Sequence, residues 1–141
     1  MTRTSILRRT VLATAMLAVT GFASAQSVKL TLGHGAAPGN PRHEAALKMA
    51  EVAKAKSNGR IEIQVAPSAQ LGDDAAMVTA LRTGALDISA NSQGAVANAV
   101  PEYAAFGMPF LFSNLEQVWK MLDGPIGKEL ADKSAEKGLV V

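Results

Sequence analysis

The stretch at 66–92 constrains the fold most, because a strand end, a helix and a second strand follow one another there. Residues 61–65 (IEIQV) alternate apolar and polar side chains, as in a half-buried strand, and Pro67 ends the alternation. Apolar residues then recur at helical spacing as far as Gly84, and residues 85–90 (ALDISA) predict a second strand. This strand–helix–strand unit predicts an α/β fold with a parallel sheet. Such sheets bind ligands beyond the carboxyl ends of their strands.

The N-terminus has the pattern of a secretory signal. Arginines precede an apolar run at 11–23, and Ala-Ser-Ala at 23–25 forms a small-residue cleavage site. The run is shorter than the roughly 20 residues that a membrane-spanning helix needs. Arg8 and Arg9 resemble a twin-arginine signal, but Val11 stands where that motif favours Phe, so export by the Sec route is predicted.

We therefore expect a signal peptide at 1–25 and one small α/β domain at 26–141, with no membrane span after cleavage. Three of the 14 basic residues lie in the signal and all 12 acidic residues follow it, so the remaining chain is nearly neutral. It has neither a basic stripe nor a cysteine, which argues against nucleic-acid binding, disulfide scaffolds and cysteine metal sites. His34 and His43 have no carboxylate cluster beside them in the sequence, so no metal site is predicted.

Capping residues divide the chain around the central unit. Residues 28–34 alternate like a strand, and Asn40 is suited to cap the helix that follows, with Pro41 in its first turn. Asp73 and Asp74 begin the next helix, because carboxylates accept hydrogen bonds from the N–H groups of a first turn. The side chains expected on the buried helix faces are Ala46, Met49, Ala50 and Ala53, and then Ala76, Met77, Ala80 and Leu81.

The C-terminal third of the sequence is rich in turn and helix signals. It predicts a partly helical crossing segment at 101–109, a short strand or extended piece at 110–112, helices that start at Asn114 and Ile126, and the start of a strand at 139–141. Its aromatic residues Tyr103, Phe106 and Trp119 are expected in the core.

Four patches of the sequence resemble the DctP-type solute-binding subunits of TRAP transporters. They are LTLGH at 30–34, KSNGRIEIQVAPSAQLG at 56–72, LRTGALDIS at 81–89 and PEYAAFGMPFLF at 101–112. The shared order and spacing of the patches make the resemblance specific. It implies a periplasmic-binding-protein type II-like fold with two α/β lobes. This chain resembles about the first half, a truncated N-terminal lobe.

The resemblance also implies a function. Family members capture a small organic acid in the periplasm and deliver this carboxylate to the small and large subunits of a membrane permease. The resemblance implies that an arginine clamps the substrate carboxylate and that it lies downstream of Val141. Arg42, Arg60 and Arg82 fall on family positions at a helix or turn surface and are not expected to be this clamp. A truncated product of this family that no longer transports is the alternative.

The ligand contacts are expected in the loops that follow the strands. The residues that match cleft positions of the family are His34, Gly35, Gln70, Asp74, Asn91 and Ser92. Asp74 is equally explained as a helix cap, His34 as hydrogen-bonded scaffold and Gln70 as a turn residue. Gly35 and Ser92 replace polar side chains of the sialic-acid-binding members, which argues against sialic acid as the ligand.

An enzyme is the alternative from a different class. The sequence contains no nucleophile elbow, phosphate-binding glycine loop or zinc pattern, and the side chains of Asp73 and Asp74 diverge as neighbours on a helix. We therefore predict a binding protein without catalytic residues, bound metal or cofactor.

Overall fold

A computed structural model describes residues 27–141, and the signal peptide expected at 1–25 lies outside the described residues. Three strands form one parallel sheet, namely β1 (Val28–His34), β2 (Ile61–Ala66) and β3 (Ile88–Ala90). Their order in the sheet is β2-β1-β3. The α/β class and the parallel sheet predicted from the central strand–helix–strand unit are therefore confirmed.

The register of the sheet brings the ends of all three strands to one edge. Gly33 of β1 pairs with Ala66 of β2, and His34 of β1 pairs with Ala90 of β3. We call this edge, with the loops that leave it, the carboxyl edge. The loops after the three strands meet there, which is where open α/β sheets bind ligands.

The third strand is shorter than the sequence predicts, because β3 begins at Ile88 and not at Ala85. Directly before it, Asp87 Oδ2 accepts a hydrogen bond from the Thr31 N–H at 2.8 Å. The Asp87 side chain thus accepts a hydrogen bond from the backbone of β1 just before the backbone pairing between β1 and β3 begins.

Five α-helices and one 3₁₀-helix connect and follow the strands in the described part of the chain. They are α1 (Pro41–Lys56), α2 (Asp74–Thr83), α3 (Gln93–Ala97), the 3₁₀-helix (Pro101–Gly107), α4 (Leu115–Leu122) and α5 (Pro125–Glu136). The short helix α3 is absent from the sequence-based prediction. Residues 110–112 and 139–141 form no strand, contrary to expectation. None of the helices within 27–141 combines the length and the apolar character needed to cross a membrane.

Side-chain caps determine where three of the helices begin. Asn40 accepts from the Arg42 N–H at 2.9 Å, and Asp73 accepts from the Ala76 N–H at 2.7 Å. Asn114 caps α4 in the same way. Each cap satisfies an N–H group that the helix itself leaves without a partner, which is worth about 1 kcal/mol. The capping roles predicted for Asn40 and Asp73 are confirmed, and the helix predicted to start at Asn114 begins there.

The core near the carboxyl edge forms where α2 packs on β1. Met77 is fully buried, and Gly33 allows the close approach, since a Cβ atom on it would lie 2.7 Å from Met77 Sδ. The next residue, Val78, packs with Val100 and Leu139 in a small apolar cluster. Helix α2 therefore connects the sheet to the C-terminal part of the chain.

The helix faces are less buried than their spacing predicts. In α2, Val78 is buried beside Met77, whereas Ala76 is exposed. Met49 in α1 is exposed, and Trp119 in α4 has 60% of its surface exposed. The expectation that Trp119 belongs to the core is wrong. A stripe of apolar residues shows which side of a helix could be buried, and a neighbouring element must still cover it.

Candidate functional site

An open cavity of about 570 Å³ lies at the carboxyl edge, between the loops after β1 and β2 and the first turns of α1 and α2. The residues around it are Gly35, Ala36, Asn40, Arg42, Ala69, Asp73 and Asp74. Ligand pockets for small molecules commonly measure about 300–1,000 Å³. Size and position therefore make this cavity the candidate binding site.

Backbone hydrogen bonds join the two loops at this cavity. The N–H groups of Ser68 and Ala69, after β2, donate to the carbonyls of Ala36 at 2.9 Å and His34 at 3.1 Å, after β1. Ser68 and Ala69 both have φ of 56°, a left-handed conformation that costs residues with a side chain about 1 kcal/mol or more. Such strain persists where the surroundings hold it, often in loops that bind ligands.

The carboxylate of Asp74 joins three elements. Its Oδ2 accepts from the Ser92 N–H, just after β3, at 2.8 Å. It also lies 3.4 Å from Arg42 Nη1 in the first turn of α1, and the same Nη1 is 3.5 Å from the Ala90 carbonyl oxygen. We call this set of contacts the Arg42–Asp74 junction. Both contacts of Arg42 are long and both involve Nη1. The other N–H groups of the guanidinium can therefore donate to a ligand.

Electrostatics keep Asp74 ionised. Burial alone would raise its pKa, but the hydrogen bonds from Ser92 and the positive charge of Arg42 outweigh burial and hold the pKa below its ordinary value. The Arg42 side chain is 36% exposed and that of Asp74 20% exposed. The junction is therefore a solvent-accessible pair that offers hydrogen-bond donors on one partner and acceptors on the other.

The two adjacent carboxylates have different roles. Asp73 is the cap of α2, whereas Asp74 is the first residue of that helix and makes the junction. The interpretation of Asp74 as a plain helix cap is wrong, because its carboxylate turns towards Ser92 and Arg42.

His34 lies behind the wall of the cavity and is fully buried. Its Nδ1 accepts from the Ala36 N–H at 3.2 Å, and its Nε2 lies 3.1 Å from His43 Nδ1. Burial, together with the nearby His43 and Arg42, lowers the pKa of His34. A fully buried ring does not reach a ligand in this conformation, so the scaffold interpretation fits His34 best.

The other residues expected to contact ligand are distributed over two cavities. Gly35 and Asp74 line the one at the carboxyl edge, where a Cβ atom on Gly35 would lie 3.1 Å from Asp74 Oδ1. Ser92 takes part through its backbone N–H. Asn91 lines a second cavity of about 350 Å³, and its Oδ1 accepts from the Ser89 hydroxyl at 2.5 Å.

Gln70 lies in the exposed turn after β2 and lines neither of these two cavities. Its N–H donates to the Pro67 carbonyl at 3.2 Å, as a turn residue does. The structure thus brings Gly35, Asp74 and Ser92 together and leaves Gln70 and Asn91 apart from them. Ligand contact by any of these residues stays a prediction.

Arg42 is the residue that sequence reasoning missed. It was expected on a helix or turn surface, yet it lines the cavity. The available signal was its place two residues after the helix cap Asn40. A helix that follows a strand of a parallel sheet starts at the carboxyl edge, so side chains of its first turn lie near the ligand site.

Residues 27–141 contain no group of three or more His, Cys, Asp or Glu side chains that could hold a metal ion. The facing ring nitrogens of His34 and His43 contact each other.

The family described as bacterial extracellular solute-binding protein, family 7, matches residues 32–141. The C4-dicarboxylate-binding periplasmic protein DctP of Rhodobacter capsulatus is 32% identical over 136 residues, covering 95% of this chain and 41% of that protein. An uncharacterized protein of Sinorhizobium fredii, y4mM, is 57% identical over 111 residues, covering 79% of this chain and 20% of that protein.

A solved structure shows the same fold. It is the sugar acid binding protein DctPAm from Advenella mimigardefordensis in complex with galactonate, with a TM-score of 0.77 and 33% identity. The match covers 82% of this chain and 37% of that chain. This chain therefore spans between a fifth and about two fifths of the length of the proteins it matches.

Proposed function

Because the chain belongs to family 7 of the bacterial extracellular solute-binding proteins, we propose that it takes part in capturing a small organic acid and delivering it to a membrane permease. The resemblance to TRAP solute-binding proteins that four sequence patches indicated is confirmed at the level of the family. The family consists of binding proteins, and we extend this to the chain as a binder without catalysis.

The Arg42–Asp74 junction is the observation that carries this proposal. It places guanidinium donors beside a carboxylate acceptor in an open cavity at the carboxyl edge. The DctP relative is named for C4-dicarboxylates and the DctPAm structure holds galactonate, so both names refer to carboxylates. An oxygen-rich acid matches this combination of donors and acceptors.

The charge of the cavity wall suggests how such an acid would lie. Arg42 is accompanied by two carboxylates, Asp73 and Asp74, so the wall has no surplus of positive charge. A ligand carboxylate would be repelled here unless another cation faced it. We therefore propose that the junction holds hydroxyl or other uncharged oxygens of the acid. Its carboxylate pairs with an arginine beyond this wall, as the family resemblance implies.

The cellular setting follows from the same proposal. Residues 1–25 would direct export through the Sec route rather than the twin-arginine route, and residues 26–141 would form the first lobe of the binder in the periplasm. The small and large subunits of a TRAP permease would be its partners. The DctP relative is itself named a periplasmic protein.

The test is the substitution Asp74→Asn, with affinity measured by titration calorimetry or NMR for galactonate, succinate and the neutral polyol galactitol. Asp74→Asn keeps an oxygen for the Ser92 N–H and removes the charge that faces Arg42. We expect the affinity for galactonate and for galactitol to fall about tenfold, a loss of about 1.4 kcal/mol, because their hydroxyls lose a charged acceptor.

Asp87→Asn is the matched control, because Asp87 also accepts a backbone N–H at 2.8 Å but does not line the cavity. It should leave the affinity unchanged. Equal losses in the two variants, or no loss in Asp74→Asn, would contradict the proposal.

A further inference from the structure

The two histidines form a pair that the proposed ligand contacts do not use. His34 is the last residue of β1, and His43 lies in the first turn of α1, one residue after Arg42. Their rings lie 5.2 Å apart between centroids, with His34 Nε2 3.1 Å from His43 Nδ1. The contact therefore connects the end of the central strand to the helix turn that carries the cavity's arginine.

The hydrogen-bond partners of His34 determine where the protons lie. Its Nδ1 accepts from the Ala36 N–H at 3.2 Å, and an accepting ring nitrogen has no proton. A neutral His34 must then have its proton on Nε2 and donate it to His43. His43 Nδ1 accepts in turn, so a neutral His43 has its proton on Nε2 as well. Both contacts are satisfied together only when both rings are neutral in this one tautomer.

Protonation of either ring removes one of the two hydrogen bonds. A protonated His43 has a proton on Nδ1 and no longer accepts from His34. A protonated His34 has a proton on Nδ1 and no longer accepts from the Ala36 N–H. The arrangement thus depends on both rings staying neutral.

The charges that act on His34 come from two helices. Arg42 and His43 on α1 disfavour a positive charge on the buried ring, and Asp74 on α2 favours it. Burial of the ring acts in the same direction as Arg42 and is the larger effect. The neutral form of His34 is therefore favoured.

We propose that His34 and His43 are a positioning pair, whose hydrogen bond holds the first turn of α1 against the end of β1 and so keeps Arg42 within reach of Asp74. The importance of Arg42 for a ligand rests on the proposed function above. The positioning itself is a property of the protein without ligand. Neither histidine lines the cavity, so the pair acts through Arg42.

The pair also gives the site a direction of pH dependence. The pKa of His34 lies below the ordinary value of 6.5, because burial disfavours its charged form. The stabilisation is therefore complete above about pH 6.5 and is lost as the pH falls through the lower pKa of the folded state. A sugar acid stays ionised across this range, since carboxyl groups titrate near pH 3–4.

Nitrogen-15 NMR of the histidine rings in the 141-residue chain tests the proton arrangement without any ligand. At pH 7.5 we expect both rings as Nε2–H tautomers, and we expect the Arg42 Nε–H resonance to shift when the pair protonates on acidification. An Nδ1–H tautomer on either ring at pH 7.5 would overturn the proposal. So would an Arg42 resonance that does not respond to protonation of the rings.

Two variants of His43 separate positioning from general packing. In His43→Asn the amide oxygen replaces the accepting Nδ1 and does not titrate, so the Arg42 resonance should match the wild type and vary less with pH. His43→Leu removes the acceptor, so the Arg42 resonance should shift at every pH and galactonate affinity should fall about tenfold. Wild-type behaviour of His43→Leu would contradict the proposal.

The two proposals fail in different ways. If no acid binds at any pH while the tautomers and the Arg42 shifts are as expected, the proposed function is wrong and the positioning pair stands. If acids bind and His43→Leu changes neither the affinity nor its pH profile, the positioning pair is wrong and the proposed function stands.

Discussion

The sheet half of the chain, residues 28–92, and the helical half, residues 93–141, differ in what their exposed edges present. In the sheet half, side-chain oxygens at the carboxyl edge accept from backbone N–H groups, as Asp74 does from Ser92 and Asp73 from Ala76. Both halves expose large apolar side chains, but the most exposed of them lie in the helical half. They include Met108, Phe110, Leu115, Trp119 and Ile126.

The two halves therefore differ in whether their surface groups already have partners within the described residues. A capped helix or a carboxylate bound to a backbone N–H is satisfied locally, so the sheet half builds its site from its own residues. In the helical half, Tyr103 stacks on Phe106 and Phe106 stacks on Phe112. Phe110 and Trp119, in contrast, are exposed to solvent. Large exposed apolar patches generally mark surfaces that contact something else.

The largest expected effect on stability comes from comparing a buried side chain of the sheet half with an exposed side chain of the helical half. Met77→Ala removes a fully buried side chain next to Gly33 and should lower the free energy of unfolding by about 2–5 kcal/mol. Trp119→Ala removes a larger side chain that is 60% exposed, and should cost less than about 1 kcal/mol. Urea denaturation of both variants measures the difference. A Trp119→Ala loss as large as that of Met77→Ala would mean that α4 is covered in solution.

A smaller effect is expected from the helix caps. Asp73→Ala and Asn114→Ala each remove a side-chain cap and should each cost about 1 kcal/mol. Because α2 packs on the sheet and α4 has an exposed face, the loss of Asp73 should reduce amide protection throughout the sheet. The loss of Asn114 should reduce it within α4 alone. Hydrogen exchange compares the two, and loss of sheet protection in Asn114→Ala would show that the halves unfold as one unit.

The smallest expected effect is on the way the melting temperature falls at acidic pH. The folded-state pKa of Asp74 lies below its ordinary value, so its carboxylate stabilises the fold above about pH 4, and this contribution is lost as the pH falls through the lower value. Asp74→Asn should therefore flatten the decline of the melting temperature below pH 4. Superimposable acid profiles of Asp74→Asn and the wild type would contradict this prediction.

The sequence predicted those parts of the fold that depend on local signals. Strand β1 begins and ends where alternation placed it, and Asn40 and Asn114 cap helices as their residue types suggest. It could not predict that Trp119 is exposed, because periodicity identifies an apolar face without identifying what covers it.

The candidate site was predicted in outline. The carboxyl edge follows from the strand–helix–strand pattern, and Asp74 lies in the cavity there. The pairing of Asp74 with Arg42 joins residues that are distant in the sequence. The hydrogen bond between His34 and His43 depends on how the two rings are oriented. Such contacts depend on how β1, α1 and α2 pack, which no local pattern specifies.

We propose that the Arg42–Asp74 junction forms part of a wall that binds an organic acid. The most direct test of this proposal is a nitrogen-15 NMR titration of the 141-residue chain with galactonate, with galactitol as the neutral comparison. We predict saturable shifts at the Ser92 and Gly35 amides and at Arg42 Nε with both compounds, because the junction is proposed to hold hydroxyl oxygens, and no shift of the Trp119 indole N–H. Shifts confined to the helical half, or the absence of shifts at the junction with either compound, would contradict the proposal.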